Sequence, residues 1–269
     1  MASLIQTVRV AAGKPAGLAK RDPHDDLGLA KDEAEQRVAD AIAELAPLQN
    51  RLWAESTRAV LVVLQGMDAA GKDGTIRRIF TGLNPQGCRV ASFKAPTPTE
   101  LDHDYLWRVH AVCPARGEIG IFNRSHYEDV AVVRVHELVP EATWRRRFRH
   151  IREFERTLAE EGTAIVKIFL HISKEEQRER LQARLDDPEK RWKFRLGDLD
   201  DRKRWDDYQA AYEEAISETS TEWAPWHVVP ADRKWVRDVV VSHLLVDTLK
   251  GLDPRLPEPA EDLTGVVVE

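Results

Sequence analysis

Six apolar positions, Ala34, Val38, Ile42, Leu45, Leu48 and Leu52, recur in steps of three and four between residues 31 and 57. That spacing places them on one face of a helix. The period then changes. Ala59–Leu64 reads AVLVVL, an uninterrupted apolar run that ends at a glycine turn. Such a run predicts a strand covered on both faces, as in a parallel sheet. Further strands are expected at Arg89–Phe93, Glu118–Phe122, Thr163–Ile172 and Trp226–Pro230. Helical patterns separate them at Gly74–Leu83, Thr99–Val112, 141–161, 198–218 and Asp232–Leu249, and Ser173 is placed to cap a helix after the fourth strand. Alternation of strand and helix predicts βαβ units: an α/β fold with a parallel five-stranded sheet and helices on both faces. Residues 31–250 read as a single domain. Residues 1–30, without a clear period, are expected to form an extended or disordered arm. Residues 251–269, Pro-rich and acidic, are expected to form a loose tail.

Composition narrows the function class. The chain has 269 residues, of which 42% are hydrophobic, enough for one sizeable α/β core. A net charge of -6 argues against a general nucleic-acid binder, while a local basic surface could still hold a polyanion. The two cysteines, Cys88 and Cys113, form no CxxC pair. A reducing compartment therefore fits better than a disulfide framework. No segment has the apolar core of a signal peptide or the length of a membrane span. These features predict a cytoplasmic protein without a membrane partner.

The strongest chemical signal follows the first strand. Gly66-Met67-Asp68-Ala69-Ala70-Gly71-Lys72-Asp73-Gly74 contains G-x-x-x-x-G-K between a strand and a helix, the context a phosphate-binding loop requires. The glycines let successive N–H groups face one anion, the helix N-terminus adds positive potential, and Lys72 supplies a mobile cation. The bland alternative is an ordinary Gly-rich turn. The residue after the lysine is Asp73, so the usual Ser or Thr hydroxyl for magnesium is missing. A carboxylate at Asp68 beside bound phosphates calls for a divalent cation between them. Asp68 is therefore read as a metal ligand or a director of the phosphoryl acceptor, with a local turn role as the alternative.

The third strand leads into FNRSHYED, residues 122–129. Arg124, at the carboxyl edge of a parallel sheet, points to the ligand crevice and could bridge donor and acceptor phosphates. Together, GMDAAGKDGTIRRIF, FNRSHYEDVAVVRV and DPEKRWKFRLGDLDDRKRWDDY resemble the loop, second Walker-type motif and lid of the family-2 polyphosphate kinases. APW followed by VVPADRKW adds to the likeness, which runs from about residue 30 to about residue 250. The resemblance implies a P-loop kinase-like fold similar to thymidylate kinase, with a helical lid at about 184–205. It implies magnesium-dependent transfer between polyphosphate and nucleoside mono- or diphosphates. By position it assigns Asp68, Lys72 and Arg124 to the reaction. Many members have Asp-Arg-Ser where this chain has Asn123-Arg124-Ser125, a change similar to the class III subgroup that accepts both AMP and ADP. There Asp129 would act near the nucleotide or metal, and Asn123 joins the nucleotide-binding candidates. Dimers or tetramers are expected from the same resemblance.

Residues 178–195 carry seven basic side chains: Arg178, Arg180, Arg184, Lys190, Arg191, Lys193 and Arg195. A closing lid needs such cations to meet the transferring group and exclude water. Arg184 matches the family's lid arginine, and Arg191 and Lys193 are candidate polyphosphate contacts. The alternative is a solvated helix face with pairs such as Glu176–Arg180. Lys94, after the second strand, lies where an acceptor phosphate is expected. The arginines of Trp144–Arg156 line either a polyanion track or a solvated face. Trp192 and Trp205 stack on a base or pack internally. His126 is read as structural, because no positioned base marks it as a nucleophile.

Three functions compete. The first is direct, in-line transfer between polyphosphate and AMP, ADP or ATP, with guanine nucleotides as further acceptors. The second is an ATP-dependent nucleoside monophosphate kinase. The third is a non-catalytic nucleotide-binding regulator, against which the absence of an N-K-x-D motif and the dense basic lid both count.

Overall fold

The computed structural model describes residues 2–268. Strands β1 (Arg9–Val10), β2 (Ala59–Gln65), β3 (Cys88–Ser92), β4 (Ile119–Asn123), β5 (Thr163–His171) and β6 (Trp226–Pro230) form one sheet in the order β1-β6-β5-β2-β4-β3. The five expected strands are present and mutually parallel. All seven residues of β2 are buried, because helices cover both faces; its one polar member, Gln65, donates to Ser125 Oγ at 3.1 Å. The helices Lys31–Glu55 and Lys234–Leu252 pack together and belong to the common core.

Register decides where the chemistry can occur. Leu64 of β2 pairs with Asn123 of β4, which also pairs with Ser92 of β3. Arg124 N–H donates to Leu64 O at 3.1 Å, and Phe93 N–H donates to Asn123 O at 3.0 Å. The carboxyl ends of three strands therefore finish level, and the segments following them share one edge.

The N-terminal arm departs from expectation. It carries the helix Ala2–Val8, and β1 pairs antiparallel with β6 as a sixth strand. Leu4, Ile5, Val8, Val10, Ala16 and Leu18 are buried. The Glu213 carboxylate accepts the N–H groups of Gly17 and Leu18 at 2.9 and 2.7 Å. The partner lies 195 residues further along the chain, so no local pattern could reveal it. The expected helix over Thr99–Val112 is also divided, into Pro98–Leu101 and Trp107–His110. Asp104 is the reason: its side chain accepts Leu106 N–H at 2.9 Å, a local bond that competes with helix propagation. The expected lid comprises the end of the helix Lys174–Asp186, a 3-10 turn at Arg191–Lys193 and the helix Gly197–Lys203. Ser173 caps the first of these by accepting Glu176 N–H at 3.1 Å. Beyond Leu252 the described residues carry no helix or strand. Among the described residues, no helix is long and apolar enough to cross a membrane.

A buried polar network ties the layers together beside the site. Lys167 of β5 pairs with Glu155 at 2.6 Å and donates to Thr219 O at 2.7 Å. Tyr127 donates to Glu155 at 2.8 Å, and Trp226 donates its indole N–H to Thr219 at 2.9 Å. His126 reaches Glu155 at 3.2 Å. Glu155 and Lys167 are both fully buried. Glu155→Gln should therefore destabilise the fold by about 3–5 kcal/mol, because it strands the Lys167 ammonium in the core. Urea unfolding measures this, and a loss below about 1 kcal/mol would show the pair to be dispensable.

Candidate active site

The loop between β2 and the helix Lys72–Phe80 is shaped by backbone geometry before any side chain acts. Gly71 has φ 108°, and a Cβ there would stand 2.3 Å from an Arg237 guanidinium nitrogen. Gly66 has φ 150°, and a Cβ there would meet Leu170 O at 2.8 Å. Both positions thus disfavour a side chain on conformational grounds, and Gly66 also on steric grounds, because it faces a backbone carbonyl. The loop is gripped from outside as well. Arg180 donates to Ala69 O at 3.1 Å and Ala70 O at 2.9 Å, and also to Ala231 O and Asp232 O. Gln177 donates to Asp68 O at 3.1 Å. Arg180 is expected among the lid cations from its place in the basic run, and no motif marks Gln177. Arg180 instead binds main-chain carbonyls behind the loop, and it also makes the anticipated ion pair with Glu176 at 2.7 Å.

A cleft of about 770 Å³ opens at the carboxyl edge of the sheet. It is lined by Asp68, Ala69, Ala70, Gly71, Lys72, Asp73 and Gly74 of the loop, by Lys94, Asn123 and Arg124 at the strand ends, and by Arg184 and Lys193 of the lid. Most of the candidate residues therefore meet in one place. Gly66 lies below it, where its carbonyl accepts from Lys72 Nζ at 2.7 Å. Two candidates lie elsewhere. Arg191 donates to Leu185 O at 2.6 Å and does not line the cleft, because the tight turn directs its guanidinium onto the preceding helix end. Asp129 stands behind the wall, 3.7 Å from Arg108 and 3.6 Å from Arg147. The 3-10 turn His126–Asp129 carries it away from the cleft, so a direct contact with nucleotide or metal is not supported.

Several charges in the cleft are compensated by neighbours of opposite sign. Arg124, with φ 62°, pairs with Asp68 and approaches Glu128 at 3.5 Å. Arg184 faces Asp198 at 3.9 Å, and Lys193 faces Asp73 at 3.7 Å. Asn123 donates to Asp73 at 2.7 Å. Burial acts to raise the Asp68 pKa, but Arg124, Lys72 and Arg184 outweigh it and hold the carboxyl below its ordinary range. Glu128 moves the other way: burial raises its pKa despite Arg124. Burial, reinforced by Arg124, pushes the Lys72 ammonium down to about 8. Such an arrangement can accept a run of phosphates, whose negative charge replaces that of the carboxylates.

The profile of the family described as Polyphosphate kinase 2 matches residues 28–257. The chain belongs to that family. It is 59% identical to the AMP/ADP-polyphosphate phosphotransferase of Meiothermus ruber over 254 residues, covering 94% of this chain and 95% of the relative. It is 46% identical to the ADP-polyphosphate phosphotransferase of Rhodopseudomonas palustris, covering 93% and 91%. The crystal structure of polyphosphate kinase 2 from Arthrobacter aurescens TC1 superposes with a TM-score of 0.92 at 45% identity, over 96% of this chain and 93% of that one. The chain is thus an enzyme of the polyphosphate kinase type, and its fold is that of a P-loop kinase.

Lys72 can attract phosphate only while protonated, and its cation is lost as pH rises through about 8. Calorimetric affinity for tripolyphosphate should therefore fall through that pH. In Lys72→Arg the fall should vanish, since a guanidinium stays charged. A flat profile in the native enzyme would remove Lys72 from phosphate binding.

Proposed function

We propose that this enzyme catalyses magnesium-dependent, direct in-line transfer of a phosphoryl group between inorganic polyphosphate and AMP or ADP, forming ADP and ATP. One observation carries the reading: three cations from three separate elements converge on one cleft. Lys72 comes from the loop, Arg124 from the end of β4 and Arg184 from the lid side. Phosphoryl transfer needs little covalent help and much charge stabilisation on the equatorial oxygens, which such a clamp supplies. The printed names of the two relatives, one citing AMP and ADP and the other ADP, agree with it.

Among the described residues, no group of three or more His, Cys, Asp or Glu side chains could hold a metal. Magnesium suits such a site, because it commonly binds one or two carboxylates together with substrate phosphates. Asp68 is the residue to hold it, being kept ionised at the centre of the cationic cluster. When bound, the ion would neutralise charge between donor and acceptor phosphates. Lys72 steadies the donor chain and leaves its resting bonds to Gly66 O and Met67 O to do so. Arg124 exchanges Asp68 for a phosphate oxygen, and Glu128 keeps its guanidinium oriented. Arg184 and Lys193 approach from the lid side, with Lys94 on the acceptor side. Because His126 is fully buried, bonded to Glu155 and absent from the cleft wall, it is not available as a covalent carrier. The thiols fit a reducing cytoplasm: Cys88 and Cys113 are unpaired, and burial pushes their pKa values up to about 11 and about 12.

Purified enzyme with AMP, magnesium and polyphosphate should form ADP and then ATP. Product from AMP with ATP as donor, and none with polyphosphate, would establish a nucleoside monophosphate kinase instead. Asp68→Asn should lower turnover by about two orders of magnitude or more, the scale of a lost electrostatic contact to the transition state. It should also raise the magnesium concentration needed for half-maximal rate. Unchanged magnesium dependence would reduce Asp68 to a turn residue.

A further inference from the structure

One large aromatic group in the cleft has no role in phosphate binding. Trp192 lies in the lid turn Arg191–Lys193 and lines the same cleft as Lys72 and Arg124, yet it is 77% exposed. Trp205, the other tryptophan of this region, is 8% exposed and belongs to the core. Phe93, also on the cleft wall, is already engaged: its ring meets Phe122 edge-on at 5.0 Å and carries the Arg108 guanidinium at 5.5 Å. Trp192 carries the Lys193 ammonium over its ring, but among the aromatic residues lining this cleft it alone is exposed to solvent, whereas Phe93 is buried.

Its neighbours define what that face can take. Lys190, Lys193 and Arg195 line the same wall. Lys193 Nζ lies 5.1 Å from the Trp192 ring centroid and 3.7 Å from Asp73 at the start of the loop helix. That pair ties the indole to the phosphate-binding end of the cleft. A ligand suited to this surface combines a flat aromatic ring with adjacent negative charge. A nucleotide has both, whereas polyphosphate has only the charge.

We propose that Trp192 is the stacking platform for the base of the nucleotide substrate, whose phosphates then point toward Lys72 and Arg124. The nucleotide as ligand follows from the phosphotransferase reading above. Stacking on an indole requires a π-face and no particular hydrogen-bond pattern, so adenine and guanine are both accepted. The lid thereby serves two purposes: its cations meet phosphate, and its tryptophan recognises that a base is attached.

Calorimetry on the full chain without polyphosphate tests this independently of turnover. Trp192→Ala should weaken ADP and GDP binding about tenfold or more while leaving tripolyphosphate within about twofold, and Trp192→Phe should retain most of the affinity. Unchanged ADP affinity in Trp192→Ala overturns the proposal. So does an equal loss for tripolyphosphate, which would mean that only the neighbouring cations were disturbed. A sedimentation shift in Trp192→Ala with unaltered ADP binding would assign the indole to contact between copies of the chain. If the native enzyme binds ADP through Trp192 yet forms no ATP from polyphosphate, the proposed reaction fails and the stacking site stands.

Discussion

Like charges repel, and this cleft must hold several cations together before any phosphate arrives. Lys72, Arg124, Arg184 and Lys193 converge in a chain whose net charge is -6. Their coexistence depends on carboxylates interleaved among them. Asp68 and Glu128 face Arg124, Asp198 faces Arg184 and Asp73 faces Lys193. Each acid lowers the cost of assembling the cations in a partly dehydrated space. The same arrangement leaves the cations available, because in the proposed reaction the negative charge of a phosphate chain takes over the role of the acids.

Rigidity behind the loop makes that exchange specific. Arg180 joins the loop carbonyls to the backbone after β6, and Gln177 holds Asp68 O. Both lie on the helix whose end carries Arg184. The loop and the root of the lid are therefore fastened to one helix, while the turn beyond it presents Lys193 and Trp192. Deeper still, the Glu155–Lys167 pair joins β5 to the helix Glu141–Glu160 and holds Tyr127 and His126 in place. The segment between β4 and the following helices is fixed on its inner side, so Arg124 projects from an anchored base.

The arginines of the helix Glu141–Glu160 illustrate how one residue type serves different ends. Arg147 pairs with Asp129, Arg145 meets Glu214, and Arg152 meets Glu218. These pairs join the helix to its neighbours, which accounts for much of its charge without a polyanion track.

The chain alone determined the parallel strands, the loop and two of the convergent cations, Lys72 and Arg124. Each is written in local pattern: uninterrupted apolar runs, G-x-x-x-x-G-K between strand and helix, and an arginine immediately after a strand. What the tertiary structure decided depends on partners distant in sequence. The arm at residues 2–30 is ordered by Glu213 and β6. Arg180 turns from a presumed phosphate cation into a backbone clamp because Ala69, Ala70 and Ala231 surround it. Asp129 faces Arg108 and Arg147 and lies off the cleft because a 3-10 turn rotates it away. Trp192 and Trp205, thirteen positions apart and alike in sequence context, separate into an exposed ring and a core side chain. A periodicity reports which face of an element is buried, but not which distant charge or ring it will meet.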